Sequence, residues 1–279
     1  MIPFLDFGGS GETLHFLHAN GYPPACYDPL LERLTTQYHT VGMLLRPLWP
    51  DGDPNAIQDW RPFSQDLLQF LEEQKYDSTI GVGHSIGGTV TLRAALQSPD
   101  RFRALVLIDP VIFPRYYMLE WVVARKLQLG GWIHPKIKGA LNRRRQFDDL
   151  EKVYAGYRRR EVFRYFSNEN LMTFIRGMTK PNGNGGYELA ISPEWEARIY
   201  YTGIWRDWDL WSNIPKLTIP TLIIRGAQTD TFWASTARAI QARNPNIQVT
   251  SIDNTTHLLP LERPEEVFDR LQTFLEGAR

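Results

Sequence analysis

Gly83-His84-Ser85-Ile86-Gly87-Gly88 is the stretch on which the reading of this chain turns. Before it lies Ser78-Thr79-Ile80-Gly81-Val82, short and apolar, as a strand would be. After it, Thr89 to Gln97 reads as a helix that Pro99 discourages from continuing. Strand, tight turn with a serine at its tip, then helix is the context required by a G-x-S-x-G nucleophile elbow. A serine on so sharp a turn sits in strained backbone. Side chains two residues to either side would collide with the neighbouring element, so Gly83 and Gly87 carry none. The helix start behind Ser85 presents free backbone N–H groups to whatever the hydroxyl attacks. On its own the motif is also compatible with a glycine-rich turn, and the remainder of the chain has to decide.

Outward from this turn, apolar runs alternate with amphipathic ones. Strands are expected over Ile2–Phe7, Thr13–Leu17, Thr40–Leu45, Ala104–Ile108, Thr221–Ile224 and Ile247–Ile252. Helices are expected around Leu30, Leu31 and Leu34, around Phe63, Leu67, Leu68 and Leu71, over Phe232–Ala242, and from Pro264 with Val267, Leu271, Phe274 and Leu275 on one side. Gly8-Gly9-Ser10-Gly11-Glu12 reads as a hairpin turn between the first two strands, not as a phosphate loop, since neither a lysine nor a helix follows. The alternation predicts an α/β fold, a mostly parallel central sheet with helices on both faces. It lapses from about 112 to 212, where helical patterns (Tyr117–Leu127, Phe147–Tyr157, Pro193–Tyr201) and no clear strand are found. The expected organisation is a core of residues 1–111 and 213–279 with a helical cap, 112–212, inserted over the carboxyl edge of the sheet, where ligands bind in open α/β sheets.

Composition narrows the function. In 279 residues, 31 basic side chains balance 31 acidic ones, so nothing global points to nucleic acid. The lone Cys26 permits neither an internal disulfide nor a metal–thiolate cluster. Without a signal-like leader or a membrane-length apolar run, a cytoplasmic protein with no transmembrane segment is expected.

A serine hydroxyl needs a base, and the base needs an orienting group. His257 follows the strand Ile247–Ile252, and Asp230 follows Leu222–Ile224; both lie on loops at the edge that carries Ser85. Ser85, Asp230, His257 is then the expected triad in chain order.

Four pieces make the chain resemble a lidded α/β-hydrolase: His18-Ala19-Asn20-Gly21-Tyr22-Pro23, Gly83 to Gly88, Ile219-Pro220-Thr221-Leu222-Ile223-Ile224-Arg225-Gly226, and His257-Leu258-Leu259-Pro260-Leu261-Glu262-Arg263-Pro264. The resemblance covers the two outer parts of the chain. It implies an oxyanion hole from two backbone N–H groups, Ile86 and one on the loop after Leu17. Relatives carry His-Gly and then the donor; here the longer His-Ala-Asn-Gly-Tyr makes Tyr22 the expected donor, with Gly21 second. Asp109, also at a strand end, competes with Asp230, which is preferred. His18 is read as bracing the oxyanion loop, and His84 as structural.

The insertion holds six of the nine tryptophans: Trp121, Trp132, Trp195, Trp205, Trp208 and Trp211. Most are expected to pack it against the core, with Trp205, Trp208 and Tyr201 offered as substrate-binding. Residues 111–200 carry 16 Lys and Arg against 9 Asp and Glu, largely in Arg143-Arg144-Arg145 and Arg158-Arg159-Arg160. A solvated face is the default; contact with an anionic surface or an acidic substrate group is the sharper idea. The expectation is a serine hydrolase of carboxylic esters with an apolar part, needing neither cofactor nor metal. Its alternatives are carbon–carbon bond hydrolysis, lactone opening or perhydrolysis on the same fold, or a ligand receptor that retains the triad.

Overall fold

The computed structural model describes residues 1–127, 129 and 134–278; Trp132 lies outside them. A seven-stranded sheet forms the centre, built from β1 (Phe4–Gly8), β2 (Thr13–Leu17), β3 (His39–Met43), β4 (Thr79–His84), β5 (Phe102–Ile108), β9 (Thr221–Gly226) and β10 (Ile247–Ile252), in the order β1-β3-β2-β4-β5-β9-β10. Only β1 runs antiparallel to its neighbour.

The continuous apolar run of β5 has a physical explanation in its two faces. Leu105 and Leu107 enter a core shared with Phe63, Leu67 and Val90, whereas Ala104, Val106 and Ile108 enter one shared with Leu30, Leu34, Leu271 and Leu275. Helices α2 (Arg61–Glu73), α3 (Ile86–Gln97) and α10 (Ala234–Arg243) contribute to the first core, and α1 (Asp28–Thr35) and α12 (Pro264–Gly277) to the second, on the opposite face. Fully burying each such Leu contributes about 1.5–3 kcal/mol.

The hairpin expected at the amino end does not form: β3 lies between β1 and β2. A Cβ on Gly9 would stand 2.0 Å from the Tyr38 carbonyl oxygen, so the glycine turn crosses closely over the chain entering β3.

β5 and β9 are neighbours, Leu105 opposite Thr221 through Ile108 opposite Ile224, although the whole insertion separates them in sequence. Between them lie α4 (Arg115–Lys126), α5 (Pro135–Leu141), α6 (Leu150–Arg158), α7 (Asn168–Gly177), α8 (Pro193–Thr202) and α9 (Trp208–Asn213). The expectation of no strand here is corrected. β6 (Gln146–Phe147), β7 (Thr179–Pro181) and β8 (Tyr187–Leu189) form a small antiparallel sheet, in strands too short for any periodicity to register.

Candidate active site

Ser85 follows β4 at φ 58° and ψ −122°, an unfavourable conformation for a residue with a side chain. The ladder holds it there: its N–H donates to the Ile108 carbonyl at 3.0 Å, and its own carbonyl accepts from Thr89 at 3.2 Å. The flanking glycines are needed as supposed. A Cβ on Gly83 would come within 2.5 Å of the Gly87 backbone, and one on Gly87 within 2.1 Å of the Leu17 carbonyl oxygen.

His257 arrives on the loop after β10, with Nε2 2.9 Å from Ser85 Oγ. The carboxylate on its other nitrogen belongs to Asp109: Nδ1 lies 2.7 Å from Asp109 Oδ2. This corrects the assignment of that position to Asp230. His84 and Ile108 are register partners, so Ser85 and Asp109 are the next residues of two adjacent strands. Asp109 also has positive φ (42°), and its N–H continues the ladder to the Ile224 carbonyl at 2.7 Å. It is fully buried, and its oxygens also accept from the Gly226 N–H and the Thr229 hydroxyl. Such donors offset the desolvation of a buried carboxylate.

Asp230 is displaced because the loop after β9 is tied beneath the histidine loop. Ala227 N–H donates to the Ile252 carbonyl and Gln228 N–H to the Thr255 carbonyl. Asp230 emerges on the cavity side and pairs with Lys136 of α5 at 3.2 Å. Burial works against its ionisation, but Lys136 and then His257 outweigh that and hold its carboxyl below the usual value.

Behind Ser85, His84 is buried and bonded on both nitrogens, to the Tyr27 hydroxyl at 2.7 Å and to the His257 carbonyl at 2.8 Å. A carbonyl only accepts, so Nε2 carries the hydrogen, Nδ1 accepts and Tyr27 donates. Burial pushes His84 well below its ordinary pKa, His257 adding to this, so the ring is neutral. The Tyr27 oxygen in turn accepts the Ala19 N–H at 3.2 Å. One chain of hydrogen bonds thus joins the loop after β2, the residue beside the serine, and the His257 backbone. His18 braces the same loop: Nε2 accepts from Leu45 N–H at 3.2 Å, and Nδ1 lies 2.9 Å from the Ala19 carbonyl. Burial lowers its pKa to about 4.

Ile86 opens α3 directly after Ser85. Tyr22 fits its expected donor role poorly, because its N–H lies 3.4 Å from the Ala19 carbonyl in a turn. On this loop Asn20 and Gly21 carry N–H groups without a partner among the described residues, and Asn20 lines the cavity beside Ser85. The sequence offered a hint, since His18-Ala19 can itself occupy the His-Gly place.

Ser85 and His257 open into a cavity of about 930 Å³. Trp60, Phe113, Tyr117, Trp121, Tyr200 and Trp233 supply an aromatic wall; Lys136, Asp230, Arg143, Glu196, Arg164 and Glu161 supply charges. The expected substrate-binding residues Trp205, Trp208 and Tyr201 are not among its walls. On α8 the helical phase turns Tyr200 inward and Tyr201 outward. Arg125 lies over the rings of Tyr201 and Trp205 at 4.3 and 4.4 Å, Arg206 covers the other ring contact of Trp205 at 4.1 Å, and Trp208 is 38% exposed. Several indoles join insertion to core or to itself, as Trp205 Nε1 does to the Gln58 carbonyl and Trp60 Nε1 to that of Ile199. His134 sits in the wall between Trp121 and Tyr200.

Among the described residues no group of three or more His, Cys, Asp or Glu side chains is disposed to hold a metal ion, and no helix is long and apolar enough to cross a membrane. Several known proteins are similar over nearly the whole chain. A soluble epoxide hydrolase of Corynebacterium sp. (strain C12) is 25% identical, with 97% of this chain and 92% of the relative covered. A 2-(acetamidomethylene)succinate hydrolase of Mesorhizobium japonicum is 23% identical over 96% and 90%. Among solved structures, that of E-2-(acetamidomethylene)succinate hydrolase superposes with a TM-score of 0.77 at 20% identity, covering 99% of both chains, and MenH from S. aureus with 0.73 at 19%, covering 100% and 99%. The family model described as alpha/beta hydrolase family matches residues 16–270, and together with the sheet order and the serine-bearing turn this makes the chain a member of that family.

Proposed function

We propose that this hydrolase cleaves a carboxylic ester with an apolar part through an acyl-enzyme on Ser85. The observation carrying the reading is the run of contacts Ser85 Oγ, His257 Nε2, His257 Nδ1, Asp109 Oδ2 at the floor of an aromatic-walled cavity. In this reading His257 takes the hydroxyl proton as Ser85 attacks the acyl carbon. Asp109 holds the imidazole in the tautomer with hydrogen on Nδ1 and stabilises the imidazolium that forms. The developing oxyanion is met by the N–H groups of Ile86 and Asn20; one such donor typically lowers the barrier by about 3 kcal/mol. His257 returns the proton to the leaving alcohol, then activates the water that releases the acid.

Residues 112–212 act as the cap in this account, contributing the aromatic surface that desolvates the apolar group. The elbow serine is the nucleophile, so chemistry that begins with an aspartate there is not expected of this chain. A fluorophosphonate probe tests the reading together with a panel of p-nitrophenyl esters. Labelling and turnover that both vanish in Ser85→Ala are expected. Turnover that survives Ser85→Ala would refute the acyl-enzyme, and labelling without turnover would favour a receptor.

A further inference from the structure

Arg143 stands apart from the other arginines of its run. Arg144 and Arg145 reach outward to exposed carboxylates, whereas the Arg143 side chain is only 20% exposed and pairs with the still more buried Glu196. The pair forms a partition. On one side is the catalytic cavity; on the other is a second cavity of about 500 Å³, and Arg143 and Glu196 line both. It also rests on the loop that carries the Asn20 N–H. A Cβ on Gly21 (φ 77°) would lie 3.2 Å from Glu196 Cδ and 3.5 Å from Arg143 Nη1, and Asn20 Nδ2 donates to the Glu196 carbonyl at 3.0 Å.

The guanidinium is only partly satisfied. Nη1 donates to Glu196 Oε2 at 2.5 Å. Nη2 has only the Met178 sulfur at 3.4 Å, a weak acceptor, and Nε has no partner among the described residues. Nε is not sealed from solvent, so this edge of the guanidinium stays open to a ligand. Beyond it, Lys152 and Arg160 line the second cavity without a carboxylate partner among the described residues, alongside Asp148 and Asp149.

We propose that Arg143 binds a carboxylate carried by the substrate, so that the enzyme acts on esters bearing a free acid group. The proposal rests on the Ser85 reading. A carboxylate suits the planar fork, which can present its free edge to two oxygens while Glu196 keeps the other in place. The half-acid end would sit at the partition, and the ester carbonyl at Ser85.

The test uses the monomethyl and dimethyl esters of dicarboxylic acids from succinate to adipate, followed by pH-stat. For at least one chain length the monoacid ester should have a kcat/KM about tenfold or more above its dimethyl counterpart, a charge-assisted pair being the difference. In Arg143→Met/Glu196→Gln, which removes both charges together, that ratio should fall towards one. A ratio at or below one throughout the wild-type series overturns the proposal, as does an unchanged ratio in a variant whose two rates fall together. The wild-type comparison stands even if the double variant does not fold. Fluorophosphonate labelling separates the two failures. Ser85 labelled without acid preference removes only this proposal; Ser85 unlabelled, with neither ester cleaved, removes the hydrolase reading as well.

Discussion

The sheet edge and the inserted segment place their functional groups by different means. At the edge, Ser85 and Asp109 are fixed by backbone ladder bonds, and His257 is fixed by His84 and by Glu262, which accepts from the Thr256 N–H and hydroxyl. In the insertion, Arg143 and Lys136 are held by side chain against side chain, Glu196 and Asp230, and Arg125 by the rings of Tyr201 and Trp205 together with the Tyr201 carbonyl. The first kind of placement follows from fold topology and tolerates little change. The second depends on individual side chains and can be retuned. Under the proposed hydrolase reading, reaction chemistry falls to the edge and substrate choice to the insertion.

The largest effect is expected at the edge. Ser85→Ala should lower kcat on any accepted ester by about 10⁴-fold or more, measured on purified variant with active-site titration to exclude wild-type carry-over. A substitution confined to the insertion that reached this loss on every ester would erase the distinction.

Acid stability is the next largest effect. Burial, first of all, holds His15, His18 and His134 at about 3, 4 and 4, and His84 well below its ordinary value. All four shifts are downward. Between those values and about 6.5 the unfolded chain therefore binds the extra protons, so stability is full above pH 6.5 and is lost as pH falls below it. Each ring contributes up to about 1.4 kcal/mol per pH unit. Urea midpoints from pH 7 to 5 should fall steeply. Because three of the four rings lie in the core, His134→Gln should leave most of the slope intact; a slope abolished by that change would place the acid sensitivity in the insertion instead.

Arg93 joins the two regions. It lies on α3 behind the serine, 2% exposed, and bonds Asp207 at 2.6 Å and Asp209 at 3.4 Å at the start of α9. Arg93→Met leaves Asp207 buried without its cation and should cost about 3–5 kcal/mol, read as a lower urea midpoint. An unchanged midpoint would mean that the insertion is anchored elsewhere.

Tyr27→Phe is the smallest and the sharpest probe of edge geometry. It removes the hydroxyl between Ala19 and His84, a bond worth about 1 kcal/mol net and more if its partners stay buried and unpaired. The expected result is a kcat lowered by up to about tenfold with KM little altered. A change in KM alone would assign the hydroxyl to binding.

Much of the core was legible because its signals are local. Thr13–Leu17 and Ile247–Ile252 were bounded by their apolar pattern, and Pro264 opened α12 with Val267, Leu271, Phe274 and Leu275 inward. Gly83 and Gly87 announced a close approach that only glycine permits. What escaped was relational. Whether Asp109 or Asp230 meets His257 depends on strand register and on where the loop after Gly226 is tied, neither of which composition encodes. The failed hairpin at Gly8–Glu12 is of the same kind, since a third strand came between two sequential ones. In the insertion, one step of helical phase separates the wall residue Tyr200 from the outward Tyr201.

Asp109, not Asp230, lies against His257 Nδ1. Asp109→Asn and Asp230→Asn should be compared for kcat on one p-nitrophenyl ester at pH 8. A loss of about 10⁴-fold is expected for Asp109→Asn and less than about tenfold for Asp230→Asn, whose partner is Lys136. Collapse of Asp230→Asn beside a nearly intact Asp109→Asn would contradict this.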